Sequence, residues 1–249
     1  MSNIEDIKKD LIHGSRILWN EEIFSKFPFG HLSARHPDGD KFIISCSVHD
    51  EGRHLGEVVM DDLQVLDFEH KIIEGSTKES FEELFIHSEI YKARQDVNAI
   101  AHVHPITAKS LVAARAKIVP VLSQAARQIS DGVNIFEGLD GKPSLITTRE
   151  LGVGLAKTLG NAKAVATRGV GIDVTGPTIE NAVLAAIALE ENSKMQLMAS
   201  QVGTPVLYER SGAPRGHHSP PAESGERRRD LLWVFFMRRL MKSEYAINL

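Results

Sequence analysis

Glu83-Leu84-Phe85-Ile86-His87 followed by Ala99-Ile100-Ala101-His102-Val103-His104-Pro105 decides how the sequence is read. Phe81 to Arg94 carries its apolar residues at helical spacing, and Val97 to His104 reads as a β-strand that Pro105 terminates. Side chains alternate faces along a strand, so His102 and His104 point the same way, about 7 Å apart along the backbone. Glu83 and His87 stand at i and i+4 and share one helix face. A helix bearing a carboxylate and an imidazole therefore leads straight into a strand bearing two imidazoles.

Working outward, the same alternation of element types continues. Ile4, Ile7, Leu11, Leu18, Trp19 and Ile23 predict an N-terminal helix over 4–27, stopped at Pro28. Gly30 to Arg35, the turn Pro37-Asp38-Gly39-Asp40 and Lys41 to Ser45 predict a hairpin, with further short strands at 58–60 and 64–68. A helix is expected at 107–116 and an extended piece at 119–122. Thr147 and Glu150 suggest a capping box for a helix ending at Gly160. A strand pair at 164–167 and 171–174 precedes a long helix over 178–200. Interleaved strands and helices of this kind predict a layered α/β protein. Arg210 to Arg229, rich in Gly, Pro, Ser and His and without periodicity, is expected to be a long loop before a C-terminal helix at 231–240.

Length and composition narrow the function. The 249 residues suit one large domain over 1–249, and 42% hydrophobic with 25% charged residues exclude collagenous, disordered and disulfide-scaffold chains. Lys plus Arg number 29 against 33 Asp plus Glu, a net charge of −4, so no positive field favours nucleic acid. The longest apolar runs fall short of the roughly 20 residues that a membrane-spanning helix needs. The opening residues carry neither a basic start nor an apolar run, which predicts a cytoplasmic protein. The lone Cys46, beside the apolar run Phe42-Ile43-Ile44, is expected to be buried and inert. The glycines at 169, 171 and 176 do not have the spacing of a dinucleotide-binding loop.

Each piece of the His/Glu pattern also has a bland reading. An isolated His-x-His can be two polar residues at a strand end, and an i,i+4 Glu/His pair can be a solvated helix face. Taken together, two imidazoles and a carboxylate make a ligand set suited to Zn²⁺, Mn²⁺ or Fe²⁺.

The segments Glu83 to His87 and Ile90-Tyr91-Lys92-Ala93-Arg94-Gln95-Asp96-Val97 to Pro105 resemble the core of the class II aldolase/adducin family, and the similarity runs from Gly30-His31-Leu32-Ser33-Ala34-Arg35 to Leu189-Glu190-Glu191-Asn192. The family includes sugar-phosphate aldolases, an epimerase, a dehydratase, hydroxyaromatic decarboxylases, oxygenases of prenylated hydroxyphenylpyruvate and the adducin head. The resemblance implies a three-layer α/β/α sandwich around a mixed, mostly antiparallel sheet. It also implies a homo-oligomer, in particular a tetramer with sites at subunit interfaces. It implies a divalent metal ion held by His102 and His104, with Glu83 as acid/base or further ligand.

The family's third histidine ligand comes from an Arg-Gly-His-Gly turn, where this chain has Arg168-Gly169-Val170-Gly171. Three readings stay open. Glu83 completes a two-His, one-carboxylate site; or another histidine (His31, His87, His217 or His218) moves in; or no metal is held. The residues that grip phosphate in sugar-phosphate members are replaced here by Gly30-His31, Ser45-Cys46-Ser47-Val48 and Phe81-Glu82, and Glu82 would repel a dianion.

The resulting expectation is a metal-dependent lyase cleaving a C–C bond, by aldol or decarboxylation chemistry, in a small non-phosphorylated oxo or hydroxy acid. The alternatives are a non-haem Fe(II) oxygenase of an aromatic acid and a metal-free adducin-like binding protein. Glu83 and His87 are the expected acid/base groups, and His31 and Arg35 the expected contacts to the substrate. The 210–229 loop is a candidate lid, through which His217 or His218 would reach the ion and Arg215 a substrate carboxylate.

Overall fold

The computed structural model describes residues 3–125, 129, 132–208 and 222–249, with 222–228 described by backbone alone. The first helix, α1 (Ile4–Asn20), is capped by Asn3, whose side chain accepts from the Glu5 N–H, and it carries Glu5 and Asp6 in its first turn, where the helix dipole favours acids. It ends well before Pro28. Glu22 and Ser25 have φ of 58° and 66°, a left-handed conformation that no α-helix accommodates, and the chain turns there instead.

Eight strands form one sheet: β1 (His31–Arg35), β2 (Lys41–Ser45), β3 (Leu63–Asp67), β4 (Ile72–Gly75), β5 (Ala99–Val103), β6 (Asn134–Phe136), β7 (Ala164–Thr167) and β8 (Gly171–Gly176). Their order is β4-β3-β2-β1-β5-β8-β7-β6, antiparallel throughout except for the parallel pair β6 and β7. This is the mixed, mostly antiparallel sheet expected.

Alternation along β1 separates two helical layers. Leu32 faces one side, where it meets Gly14 of α1 together with Ile179 and Val183 of a long helix, α5 (Ile179–Ser200). Ser33 faces the other side, where it bonds to α2 (Leu84–Ala93), which packs against α4 (Arg149–Leu159). The helix α3 (Ile106–Ala113) and the C-terminal α6 (Ala222–Leu240) join α1 and α5 on the first side. Strands buried on both faces explain why Phe42, Ile43 and Ile44 read as an unbroken apolar run. Cys46 is fully buried just beyond β2, and burial raises its thiol pKa, as suits an inert cysteine.

Several elements differ from expectation. Residues 58–60 form no strand. The Val58 carbonyl accepts from Arg16 and the Val59 N–H donates to Asp62, so side chains take the backbone groups that a ladder would need, and Met60–Asp62 forms a 3₁₀ turn. The cap of α4 is Thr148, not Thr147, with its hydroxyl accepting from the Leu151 N–H. The last helix begins at Ala222 instead of 231 and carries Arg238 and Arg239 in its last turn, where the helix dipole favours cations. The proposed lid over 210–229 is therefore helical from 222 onward. Residues 209–221, with Arg215, His217 and His218, lie outside the described residues. No helix among the described residues is long and apolar enough to cross a membrane.

Candidate metal centre

Strand register builds the site. His31 of β1 lies directly opposite His102 of β5, which lies directly opposite Asp173 of β8, so the three side chains form one row on the α2 side of the sheet. His102 Nδ1 is 2.7 Å from Asp173 Oδ1. The carboxylate accepts the Nδ1–H, which leaves the Nε2 lone pair of His102 facing out of the row. The His31 and His102 rings stack with centroids 4.7 Å apart. Gly171, two residues before Asp173, makes room for the His102 ring: a β-carbon there would lie 2.7 Å from His102 Nε2.

Glu83 is the residue before α2, and its side chain leaves the helix uncapped. Oε1 accepts from the Ile146 N–H at 2.9 Å, while Oε2 lies 3.8 Å from His102 Nε2. His104, just past the end of β5, places its Nε2 3.1 Å from that of His102. Ligand atoms of His31, Glu83 and His102 all fall within 4.8 Å of one another. Two donors each about 2.1 Å from a common ion can be no more than roughly 4.2 Å apart, so small side-chain movements bring this set onto one ion.

The protonation states suit that role. Burial, followed by repulsion from neighbouring imidazoles, holds His31 and His87 well below the ordinary histidine range. Burial, with His102 and Lys109, pushes His104 down to about 2. These rings are neutral and able to donate lone pairs. Burial also works against charge on His102, but the Asp173 carboxylate, with help from Glu83, outweighs it and raises the pKa. The buried Asp173 is itself pushed up by burial, against the pull of His102.

A cleft of about 480 Å³ opens over these donors, lined among others by Phe29, His31, Phe81, Glu83, His104 and Lys109. Val170 lines it from the β7–β8 turn, where it offers a methyl surface instead of a ligand. Gly30 closes one wall at φ 118°, with the site of its missing β-carbon 2.9 Å from the His102 carbonyl oxygen, so a side chain would not fit there.

Two expected site residues lie elsewhere. Arg35 does not face the cleft: its guanidinium donates to the carbonyls of Gly39, Tyr91, Arg94 and Val97 and stacks over the Tyr91 ring at 4.7 Å. It ties the β1–β2 hairpin to the end of α2, and its donors are spent on backbone. His87 is fully buried behind His31, with Nε2 2.6 Å from His31 Nδ1 and Nδ1 2.6 Å from Ser33 Oγ. It has no surface on the cleft, so direct proton exchange with a substrate is replaced by contact with His31. Sequence pattern assigns no site role to Asp173 or Lys109 and none to Gly171 beyond the turn it closes. An acid within the apolar run Gly171-Ile172-Asp173-Val174 was the available signal for Asp173.

Fold and donor set together describe an α/β domain with a histidine-rich pocket at the strand ends of a mostly antiparallel sheet. The chain belongs to the class II aldolase family: the model of the Class II Aldolase and Adducin N-terminal domain matches residues 9–197. It is 29% identical over 133 residues to "Decarboxylase NovR" of Streptomyces niveus, covering 53% of this chain and 48% of that protein. It is 25% identical over 182 residues to a 3,4-dihydroxyphthalate decarboxylase of Arthrobacter keyseri, covering 70% of this chain and 71% of that one. The chain thus spans about half the length of the first of these relatives. Its fold matches L-fuculose 1-phosphate aldolase of Glaciozyma antarctica PI12 with a TM-score of 0.76 at 22% identity, over 99% of this chain and 96% of that one.

Proposed function

We propose that the chain is a metal-dependent lyase that decarboxylates a small, non-phosphorylated hydroxyaromatic or oxo acid, with His102, His104 and Glu83 among the residues that hold the ion. The observation that carries this reading is a group of imidazoles and one carboxylate converging at the base of an aromatic-walled cleft. The decarboxylase relatives support the same reaction type. A bound divalent ion supplies a Lewis acid that stabilises negative charge developing on a substrate oxygen.

The chain's own groups do the rest. Phe29 and Phe81 offer apolar faces for a ring. Lys109, half-buried on α3, makes no ion pair with an acid among the described residues, and burial lowers its pKa. Its ammonium is placed to hold an anionic substrate oxygen. Asp50, Glu79 and Glu82 line the same cleft and disfavour a phosphate dianion. Decarboxylation breaks the bond to the carboxylate carbon, releases CO₂ and leaves an electron pair on the adjacent carbon, which takes up one proton from solvent entering the open cleft.

Lys109→Met is expected to raise KM by about 10- to 100-fold, the equivalent of a lost charged hydrogen bond, with metal content unchanged. An unchanged KM would remove Lys109 from the binding machinery. The function itself is tested by measuring CO₂ release from a panel of hydroxybenzoates and oxo acids with Mn²⁺, Zn²⁺ or Fe²⁺ while following dissolved oxygen. CO₂ release without O₂ uptake is the expected result. Ferrous-dependent O₂ consumption would instead make the protein an oxygenase, and loss of the reading follows if metal-loaded protein turns over none of them.

A homo-oligomer is also proposed. Phe27, 65% exposed, and Phe29 stack beside the cleft mouth, an apolar rim suited to a second copy. Light scattering is expected to give a mass above that of one chain at micromolar concentration, and a monomer would contradict it.

A further inference from the structure

We propose that His31 on β1 supplies the third imidazole of the metal centre, taking over the role that Val170 in the β7–β8 turn cannot fill, and that His87 is its positioning residue. The inference rests on the metal reading above and adds to it which strand completes the site.

Three observations carry it. First, register sets His31 opposite His102 on the same sheet face, and the ligand atoms of both come within 4.8 Å of each other and of Glu83. Val170 lines the same cleft, and its side chain has no donor atom. Second, only one ring nitrogen of His31 is engaged: Nδ1 meets His87, while Nε2 has no hydrogen bond among the described residues and His31 lines the cleft. Third, His31 is held from behind by a continuous chain, His31 Nδ1 to His87 Nε2 at 2.6 Å, His87 Nδ1 to Ser33 Oγ at 2.6 Å, and Ser33 Oγ to Tyr91 Oη at 2.8 Å.

That chain is what a metal-ligating histidine needs behind it. Its protons can run in either direction, and ligation at Nε2 selects the one in which His31 Nδ1–H donates to His87 Nε2, His87 Nδ1–H donates to Ser33 Oγ, and the Ser33 hydroxyl donates to Tyr91 Oη. His102 has the same arrangement on its side of the row, with Asp173 in place of His87. Each of these two imidazoles is therefore oriented by a buried acceptor, one a carboxylate and one a neutral ring. A neutral acceptor leaves the net charge of the centre less negative than a second carboxylate would.

The experiment loads cobalt(II) into wild-type, His31→Ala, His87→Phe and His102→Ala proteins, recording ion affinity and the visible d–d spectrum. The zinc-loaded wild type is also taken for X-ray absorption, which counts imidazole ligands without any variant. Expected are three imidazoles in the wild type, affinity lowered about a hundredfold or more with a changed spectrum in His31→Ala, partial restoration by added imidazole, and about a tenfold loss in His87→Phe. Two imidazoles in the wild type, or an unchanged affinity and spectrum in His31→Ala while His102→Ala loses the ion, would overturn the role of His31 and leave the metal reading standing. A wild type that takes up no cobalt or zinc would overturn the metal reading itself.

Discussion

Gly171→Ala is expected to lower divalent-ion affinity by on the order of a hundredfold and to leave little activity, although the change adds one methyl group. The new β-carbon would lie 2.7 Å from His102 Nε2 and 3.2 Å from Nδ1. The ring cannot retreat, because the His31 ring stacks on it and Asp173 grips its Nδ1. Relief requires either rotation of the imidazole, which breaks the Asp173 bond and turns Nε2 away from Glu83 and His104, or a shift of the β5–β8 pair. Overpacking of this kind costs about 1–3 kcal/mol of stability. Isothermal titration with Mn²⁺ and a thermal melt check both parts; wild-type affinity in this variant would show that the His102 ring has freedom not visible in its contacts.

Asp173→Ala is expected to have the second largest effect. It leaves the His102 Nδ1–H without an acceptor in a buried site, a cost of about 1–3 kcal/mol in stability, and it frees the proton to occupy Nε2, which weakens ion binding by about 10- to 100-fold. Asp173→Asn, with its amide oxygen toward Nδ1–H, is expected to recover part of the loss.

The two variants also carry a pH test. The Asp173 carboxylate raises the His102 pKa, and a proton on Nε2 excludes the ion. Wild-type affinity is therefore lost as pH falls through that raised pKa. Removing the carboxylate lowers the pKa, so the loss in Asp173→Ala begins at lower pH from a weaker starting affinity. Titration at several pH values follows both curves; an onset that did not move would mean that Asp173 acts on His102 by position and not by charge.

Much of this was legible in the sequence because it depends on local periodicity. The nearness of His102, His104 and Glu83 was legible from local spacing, although His104 lies just past the end of β5 and Glu83 just before α2. The sheet type followed from the family resemblance and from strands interleaved with helices. The edge strands Ile72–Gly75 and Asn134–Phe136 escaped notice because each is short and largely exposed on its outer side, so neither shows a buried alternation.

Partnerships set by register between distant strands were also invisible. Nothing local tells that His31 lies opposite His102 or that Asp173 lies on its other side. Arg35 read as an available cation because its acceptors are backbone carbonyls, which leave no trace in sequence pattern. Glu83 and His87 have the i, i+4 spacing of one helix face, but α2 starts after Glu83, so the carboxylate reaches past the helix end to the cleft while the imidazole is sealed against β1.

On the proposed function, His31, His102, His104 and Glu83, with Asp173 behind His102, form a single divalent-ion site. Equilibrium dialysis of the wild-type chain and His102→Ala against Mn²⁺, with bound metal counted by mass spectrometry, tests it most directly. One ion per wild-type chain and none in His102→Ala is the predicted result; an equal count in the two proteins, or no ion in the wild type, would contradict it.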